Sequence, residues 1–180
     1  IEGLPEFGTL SAWPVDEDES DALWFSATDY LTPSSLWHGE VGERPEKLKQ
    51  TPSWFDASGL EVTQHFVASK DGTQIPYFQV ARKDLPTDGS AVALLYGYGG
   101  FEISLQPSYR ASTGAAWLEK GGVFVVANIR GGGEYGPRWH QAALKENKYP
   151  TGINNRTGSS LGNILASLDS YRCGHRFTPL

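Results

Sequence analysis

The sequence predicts an α/β fold preceded by a segment of antiparallel strands, and three observations support this prediction. Residues 1–55 alternate short aromatic runs with turn formers, which is typical of closely spaced antiparallel strands. The dipeptide Asp71-Gly72 lies between two β-rich runs and predicts a hairpin. Residues 91–147 then alternate apolar runs with helix-forming segments, the signature of a parallel sheet with right-handed crossovers.

The composition is that of a chain that can fill a packed core. Of the 180 residues, 39% are hydrophobic and 20% are charged. The net charge of -6 argues against a nucleic acid or an anionic membrane as partner, because both attract a basic surface. No apolar run approaches the roughly 20 residues of a membrane span, and the single Cys173 excludes an internal disulfide.

The two ends of the chain say little about its cellular compartment. The sequence begins with Ile1 and contains no Met. Because translation needs an initiator, we expect an internal piece of a longer protein. The lack of a targeting segment therefore leaves both the cytoplasm and the periplasm open.

Residues 1–55 are expected to form short strands of a sandwich, a barrel or a propeller blade. Residues 23–26 and 36–41 are predicted strands, with the turn formers of 32–35 between them. The acidic cluster 16–19 is expected in a solvated loop, because hard-cation loops space their carboxylates and place a glycine among them. The predicted hairpin that follows has strands at 60–69 and 74–82.

The α/β part is predicted to contain two strands, each followed by a glycine-rich loop and a helix. The first strand is a short apolar run bounded by glycine, which we expect to be buried on both faces. The predicted strands are 91–95 and 123–129, the loops 96–101 and 130–136, and the helices 113–119 and 137–147.

The first of these loops, Tyr96-Gly97-Tyr98-Gly99-Gly100-Phe101, is the first candidate for a functional site. The exit of a parallel strand is where open α/β sheets bind ligands, and glycine lets another group approach the backbone closely. A tyrosine hydroxyl at this point can donate a hydrogen bond to a developing oxyanion. The alternative is that the three aromatic residues only pack, and the spacing does not separate the two interpretations.

A second candidate lies near the end of the chain, where Gly158-Ser159-Ser160-Leu161-Gly162 matches G-x-S-x-G. Ser160, Asp169 and His175 also follow the order of a hydrolase triad. A nucleophile elbow needs an apolar strand directly before its serine, and 151–157 is not one. We therefore interpret this motif as a chance match.

A third candidate is a dinucleotide loop, since Gly131, Gly133 and Gly136 match G-x-G-x-x-G between a strand and a helix. The acidic residue expected roughly 20 residues later is missing, so an ion pair between Arg130 and Glu134 is the preferred interpretation. No histidines have metal-ligand spacing, His140 is expected to pack or face solvent, and no cofactor or metal is expected.

At these residues the sequence resembles the prolyl oligopeptidase family of serine peptidases, from about Leu23 to Lys148. Its most specific part is a pair of glycine-rich motifs in the family's order. The matching segments are Thr32-Pro33-Ser34-Ser35-Leu36, Ser69–Phe78, Leu95–Phe101, Pro107-Ser108-Tyr109 and Gly121-Gly122-Val123. A last segment begins with Ala127–Gly136 and continues to Trp139-His140.

The resemblance implies a seven-bladed β-propeller joined to an α/β-hydrolase domain that cleaves short peptides, often after proline. Residues 1–55 would then be the end of the propeller and 56–148 the start of the hydrolase domain, giving a partial α/β-hydrolase sheet after a blade remnant. Tyr98 would match the tyrosine that helps form the oxyanion hole, and Phe101 would match an aromatic residue of the pocket for the residue before the cut. The implied partner is a short peptide, without nucleic acid or membrane.

The tail, residues 149–180, departs from the family. The family continues with a helix, a strand and the elbow that carries the serine, whereas apolar periodicity is lost here at Tyr149. We expect a truncated piece with an out-of-frame or unrelated tail, inactive because it lacks the catalytic Ser, Asp and His. The rival hypotheses are a dinucleotide-binding oxidoreductase fragment and a β-rich binding module that uses residues 1–55.

Overall fold

The computed structural model describes residues 4–69, 71–86, 88 and 90–144, and this part of the chain is mostly β-sheet with two short helices. It contains two four-stranded sheets, one formed by β1–β4 and the other by β5–β8. The strands are β1 (Thr9–Pro14), β2 (Ala22–Thr28), β3 (Ser35–Glu40), β4 (Glu46–Gln50), β5 (Leu60–Ala68), β6 (Gln74–Arg82), β7 (Ala93–Gly97) and β8 (Val123–Ala127). The helices are α1 (Ala111–Ala116) and α2 (Pro137–Gln141), with a 3-10 turn at Leu118–Lys120.

The chain divides into two compact units, each with one of the sheets. The first unit comprises Ile1–Ser58 and Gln106–Glu119, and the second comprises Gly59–Leu105 and Lys120–Leu180. None of the helices in the described residues is long and apolar enough to cross a membrane.

The sheet of the first unit is an antiparallel meander in the order β1-β2-β3-β4. The predicted strands at 23–26 and 36–41 correspond to β2 and β3. Strands β1 and β4 were missed, because both are almost entirely exposed and so lack the alternating apolar pattern of a half-buried strand.

Phe55 connects the rest of the first unit to α1. Its buried ring stacks on Tyr109 with ring centroids 5.0 Å apart. It also lies against Gly114 of α1, where an added Cβ would come within 2.0 Å of the ring. The Tyr109 hydroxyl accepts a hydrogen bond from the Trp54 N–H at 2.7 Å. Segment 106–119 is therefore packed against residues 1–58 by aromatic contact.

The second unit contains the predicted hairpin, which is confirmed. Strands β5 and β6 pair antiparallel from Leu60↔Arg82 to Ala68↔Gln74. Gly72 in the turn has φ +81°, a left-handed conformation that glycine adopts without strain.

The order of the second sheet is β5-β6-β8-β7, so that β8 lies between the hairpin and β7. Strand β8 pairs antiparallel with β6 and parallel with β7, and all five of its residues are buried. Parallel pairing of β7 and β8 needs a crossover connection, which 98–122 provides. The predicted strand–helix–strand pattern is therefore present.

Three details of the prediction were wrong. The strand expected at 91–95 is β7, which spans Ala93–Gly97. It was expected to be buried on both faces, but it is partly exposed because it is the outermost strand among the described residues. The helix expected at 113–119 begins earlier, at Ala111, and gives way to the 3-10 turn. The second predicted helix begins at Pro137 as expected but ends at Gln141 rather than at 147. Residues 142–144 are turn and bend, and 145–147 are outside the described residues.

Arg130, just beyond β8, ties this strand to the turn of the hairpin. It is 3% exposed, and its Nη1 donates to Asp71 Oδ2 at 2.5 Å, while its Nη2 donates to Ser69 Oγ at 3.0 Å. This charge-assisted bond to Arg130 is the main reason that the pKa of Asp71 lies well below its usual value. A buried guanidinium is unfavourable without such a partner, so the turn and the end of β8 are held together by charge.

We expect Asp71→Asn to lower the free energy of unfolding at pH 7 by about 1.5–3 kcal/mol, because it leaves the Arg130 charge buried without a counter-charge. The Asp71 pKa is lowered on folding, so its contribution is present above the ordinary carboxyl pKa of about 3.9 and is lost as pH falls through the folded value. The stability difference between wild type and variant should therefore shrink below about pH 4, as measured by urea unfolding.

Asp84→Asn is the matched control, because it removes the same charge from the solvent-exposed ion pair with Arg82. A smaller loss is expected there. Equal losses in the two variants would contradict the anchoring role of Arg130.

Candidate active site

Both predicted site residues lie on the loop that leaves β7. Tyr98 directly follows the last residue of the strand, and the residue is 45% exposed. Its ring lies along the backbone of Gly100, where an added Cβ would be 3.4 Å from Tyr98 Cε1. Phe101 is 83% exposed. Neither aromatic side chain is buried in the core, so both are accessible to a ligand.

The backbone of this loop is strained next to Tyr98. Phe101 and Glu102 have φ values of +53° and +58°, the left-handed region that side chains rarely adopt. Each such residue costs about 1–2 kcal/mol. The turn is closed by the Ile103 N–H, which donates to the Gly100 carbonyl at 3.0 Å. Strain of this kind persists only where the surroundings hold it, and it directs the Phe101 ring into solvent.

The second glycine-rich loop supplies these surroundings through direct contact between backbones. An added Cβ on Gly131 would lie 2.0 Å from the Gly99 carbonyl oxygen, and one on Gly133 would lie 2.2 Å from the Glu102 carbonyl oxygen. Gly99 and Gly131 also have positive φ values, +57° and +104°. Only glycine fits at these positions, because the two loops pack with no space for a side chain.

Asn128 and Glu134 join the same two loops through hydrogen bonds. Glu134 Oε1 accepts from the Leu105 N–H at 2.9 Å and from Asn128 Nδ2 at 3.2 Å, and Asn128 Nδ2 also donates to the Leu105 carbonyl at 2.9 Å. Glu134 Oε2 is buried and has no hydrogen-bond partner among the described residues. The carboxylate therefore fixes the far end of the first loop.

The expected ion pair between Arg130 and Glu134 was wrong. Arg130 points to the hairpin turn and pairs with Asp71, whereas Glu134 points to Leu105. Residues four apart in a loop need not face each other, and each of these side chains finds a partner distant in sequence. The spacing of Arg130 and Glu134 in the sequence does not predict either of these partners.

The geometry of the second loop also argues against a dinucleotide site. The space that a pyrophosphate would need beside Gly131 and Gly133 is filled by the backbone of the first loop. The helix that follows, α2, has only five residues. Among the described residues, no group of three His, Cys, Asp or Glu side chains is placed to hold a metal ion.

His140 is a residue of this region whose contacts sequence reasoning missed. It was expected to pack or to face solvent, but its Nδ1 lies 2.6 Å from the Gly131 carbonyl oxygen. Its only signal in the sequence was its position shortly after the second glycine-rich loop. Ser160, Asp169 and His175, together with the tail 149–180 and Cys173, lie outside the described residues.

The chain is similar to proteins of one family. The profile described as "Prolyl oligopeptidase family" matches residues 108–151. The chain is 52% identical over 146 residues to the uncharacterized peptidase y4nA of Sinorhizobium fredii, and 40% identical over 146 residues to a prolyl endopeptidase of Elizabethkingia meningoseptica. Each match covers 81% of this chain and 20% of the relative.

Solved structures give the same result. A chain from a structural and mechanistic analysis of two prolyl endopeptidases is 35% identical, with a TM-score of 0.77, over 92% of this chain and 23% of that one. Prolyl oligopeptidase B of Galerina marginata, bound to a 25mer macrocyclization substrate, is 29% identical with a TM-score of 0.77, over the same shares.

These relatives give no support to the two rival hypotheses, the dinucleotide-binding oxidoreductase and the β-rich binding module. The chain spans about one fifth of the length of the curated relatives that it matches. It belongs, as a partial piece, to the prolyl oligopeptidase family.

Proposed function

We propose that this chain is the piece of a prolyl-oligopeptidase-like serine peptidase that carries an oxyanion donor, Tyr98, and a substrate-contacting aromatic residue, Phe101. In this assignment 1–55 is the end of a β-propeller, 56–148 is the start of an α/β-hydrolase domain, and 149–180 is a divergent tail with an out-of-frame or unrelated sequence. The supporting observation is that two accessible aromatic residues share one strained loop at the end of a parallel strand.

The proposed chemistry is acyl transfer. When a serine attacks a peptide carbonyl, negative charge develops on the carbonyl oxygen, and a hydroxyl placed beside that oxygen stabilises the transition state. The Tyr98 phenol is the donor in this role. Phe101 offers an open ring face against which the residue before the cut can pack, and a proline ring is a suitable partner for it.

The rigidity of the loop favours this assignment. Electrostatic stabilisation of an oxyanion works best when the donor is already in place and needs no reorganisation during the reaction. Close glycine contacts and the Glu134 bridge hold the loop on both sides of Phe101.

The piece alone is proposed to be inactive, because a donor without a nucleophile and a base cannot form an acyl-enzyme. Residues after Lys148 do not resemble the part of the family that carries the serine elbow. The proposed substrate class of the whole protein is a short peptide, in keeping with the peptide-bound structures of Galerina marginata prolyl oligopeptidase B.

We expect the 180-residue chain to remain unlabelled by a phosphonate that reacts with active-site serines. The measurement is intact-mass spectrometry, with a full-length prolyl endopeptidase as positive control and Ser160→Ala as the matched variant. Stoichiometric labelling of the chain that disappears in Ser160→Ala would contradict the proposal.

The role of Tyr98 is tested in a chimera in which residues 23–144 replace the matching segment of a full-length prolyl endopeptidase. Tyr98→Phe should lower kcat by about 100- to 1,000-fold, because removing one oxyanion donor has a cost of this size. KM should change little, since the hydrogen bond forms mainly in the transition state. Tyr96→Phe removes a hydroxyl two residues away and is the control. Equal kcat values for the two variants would refute the assignment.

Phe101 is tested in the same chimera by Phe101→Ala. Because the side chain is exposed, the free energy of unfolding should change by no more than about 0.5 kcal/mol. The value of kcat/KM for a substrate with proline before the cut should fall about tenfold to 100-fold, as expected for the loss of one apolar contact. Ile103→Ala removes another exposed apolar side chain of this loop and is the control. Activity losses of the same size in both would argue against a substrate contact.

A further inference from the structure

The strained turn beside Phe101 is held in place through Gly131 of the second glycine-rich loop. Gly131 is held from two sides by residues of α2. Its N–H donates to the Trp139 carbonyl at 3.0 Å, and its carbonyl oxygen lies 2.6 Å from His140 Nδ1. The N–H and the carbonyl of Gly131 are therefore both contacted by consecutive residues, Trp139 and His140.

The contact at 2.6 Å favours one tautomer of the imidazole. A carbonyl oxygen can only accept a hydrogen bond, so this contact is a hydrogen bond in the tautomer that carries the hydrogen on His140 Nδ1. The Glu102 N–H lies 3.1 Å from this nitrogen and 3.3 Å from the Gly131 carbonyl oxygen. In the Nδ1–H tautomer this nitrogen cannot accept, so the Glu102 N–H donates to the carbonyl, which then accepts from both groups.

This carbonyl is therefore the connection between the imidazole and the strained turn. Glu102 is the second of the two left-handed residues, and its own carbonyl is confined by Gly133. Both peptide groups of Glu102 are thus held by the second loop. Phe101 precedes Glu102 directly, so its direction depends on the position of the Gly131 carbonyl.

The other described histidines have different surroundings. His38 lies against the Trp24 ring with centroids 4.9 Å apart, and His65 stacks on Tyr77 at 5.3 Å. His65 Nε2 lies 2.8 Å from the Thr63 hydroxyl, on the same strand. Only His140, among the histidines that the structure describes, reaches a backbone carbonyl of a glycine-rich loop.

We propose that His140 is a positioning residue: its imidazole, with a hydrogen on Nδ1, holds the Gly131 carbonyl, which in turn holds the Phe101–Glu102 turn in the conformation that presents the Phe101 ring. The part of this inference that concerns substrate rests on the proposed function. The part that concerns the turn does not, because it follows from the contacts alone.

The turn is tested in the 180-residue chain by amide hydrogen exchange and ring nitrogen-15 spectra. The wild-type spectra should show the Nδ1–H tautomer for His140. His140→Phe should speed exchange of the Glu102 N–H about tenfold, the effect of losing about one hydrogen bond. Exchange of the β8 amides should be unchanged, which separates loss of the turn from loss of the fold.

Two further variants distinguish positioning from simple packing. His140→Asn places an amide donor close to the position of Nδ1 and should restore slow Glu102 exchange. His140→Gln reaches the Nε2 position instead and should not. His65→Asn is the control for histidine loss and should leave Glu102 unaffected. An Nε2–H tautomer, or equal Glu102 exchange in the Phe and Asn variants, would overturn the proposal.

The consequence for substrate is tested in the chimera described above. His140→Phe should lower kcat/KM for the proline substrate, and His140→Asn should recover it. Combined with Phe101→Ala, His140→Phe should add little further loss, because both changes remove the same contact. Full additivity would refute the link to Phe101. If Phe101→Ala has no effect by itself, the substrate assignment fails while the exchange result for the turn still stands.

Discussion

The structure of the candidate site depends on one close contact, that between the Gly99 carbonyl and the backbone of Gly131. A single methyl group on Gly131 would lie 2.0 Å from this oxygen, so any side chain there would force the two loops apart. Glycine loses more conformational freedom on folding than any other residue. This cost is offset locally by the hydrogen bonds of Asn128 and Glu134, which close the same loop pair.

The contact has its effect because of the strand arrangement beneath it. Strands β7 and β8 are parallel neighbours, so their carboxyl ends lie at one edge of the sheet and the loops that leave them meet there. The buried strand β8 provides a rigid base. The exposed Tyr98 and Phe101 are therefore attached to well-packed backbone although neither ring is part of the core.

Sequence reasoning found the elements of the second unit better than those of the first. The hairpin was predicted from Asp71-Gly72, since few other structures favour this dipeptide between β-rich runs. Strands β1 and β4 were missed because exposed strands have no apolar alternation. The burial of β7 was predicted wrongly, because a short apolar run indicates a strand but not its place in the sheet.

For the site itself, the local sequence predicted that Tyr98 and Phe101 lie on one loop after a strand. It also indicated that this loop needs glycine. The residues of both glycine-rich loops also carried the family resemblance. The insertion of β8 between β6 and β7, the pairing of Arg130 with Asp71 and the contact of His140 with Gly131 were decided only in the folded chain. Each of these joins elements that approach one another only after folding, and no pattern of neighbouring residues encodes which distant group a side chain will meet.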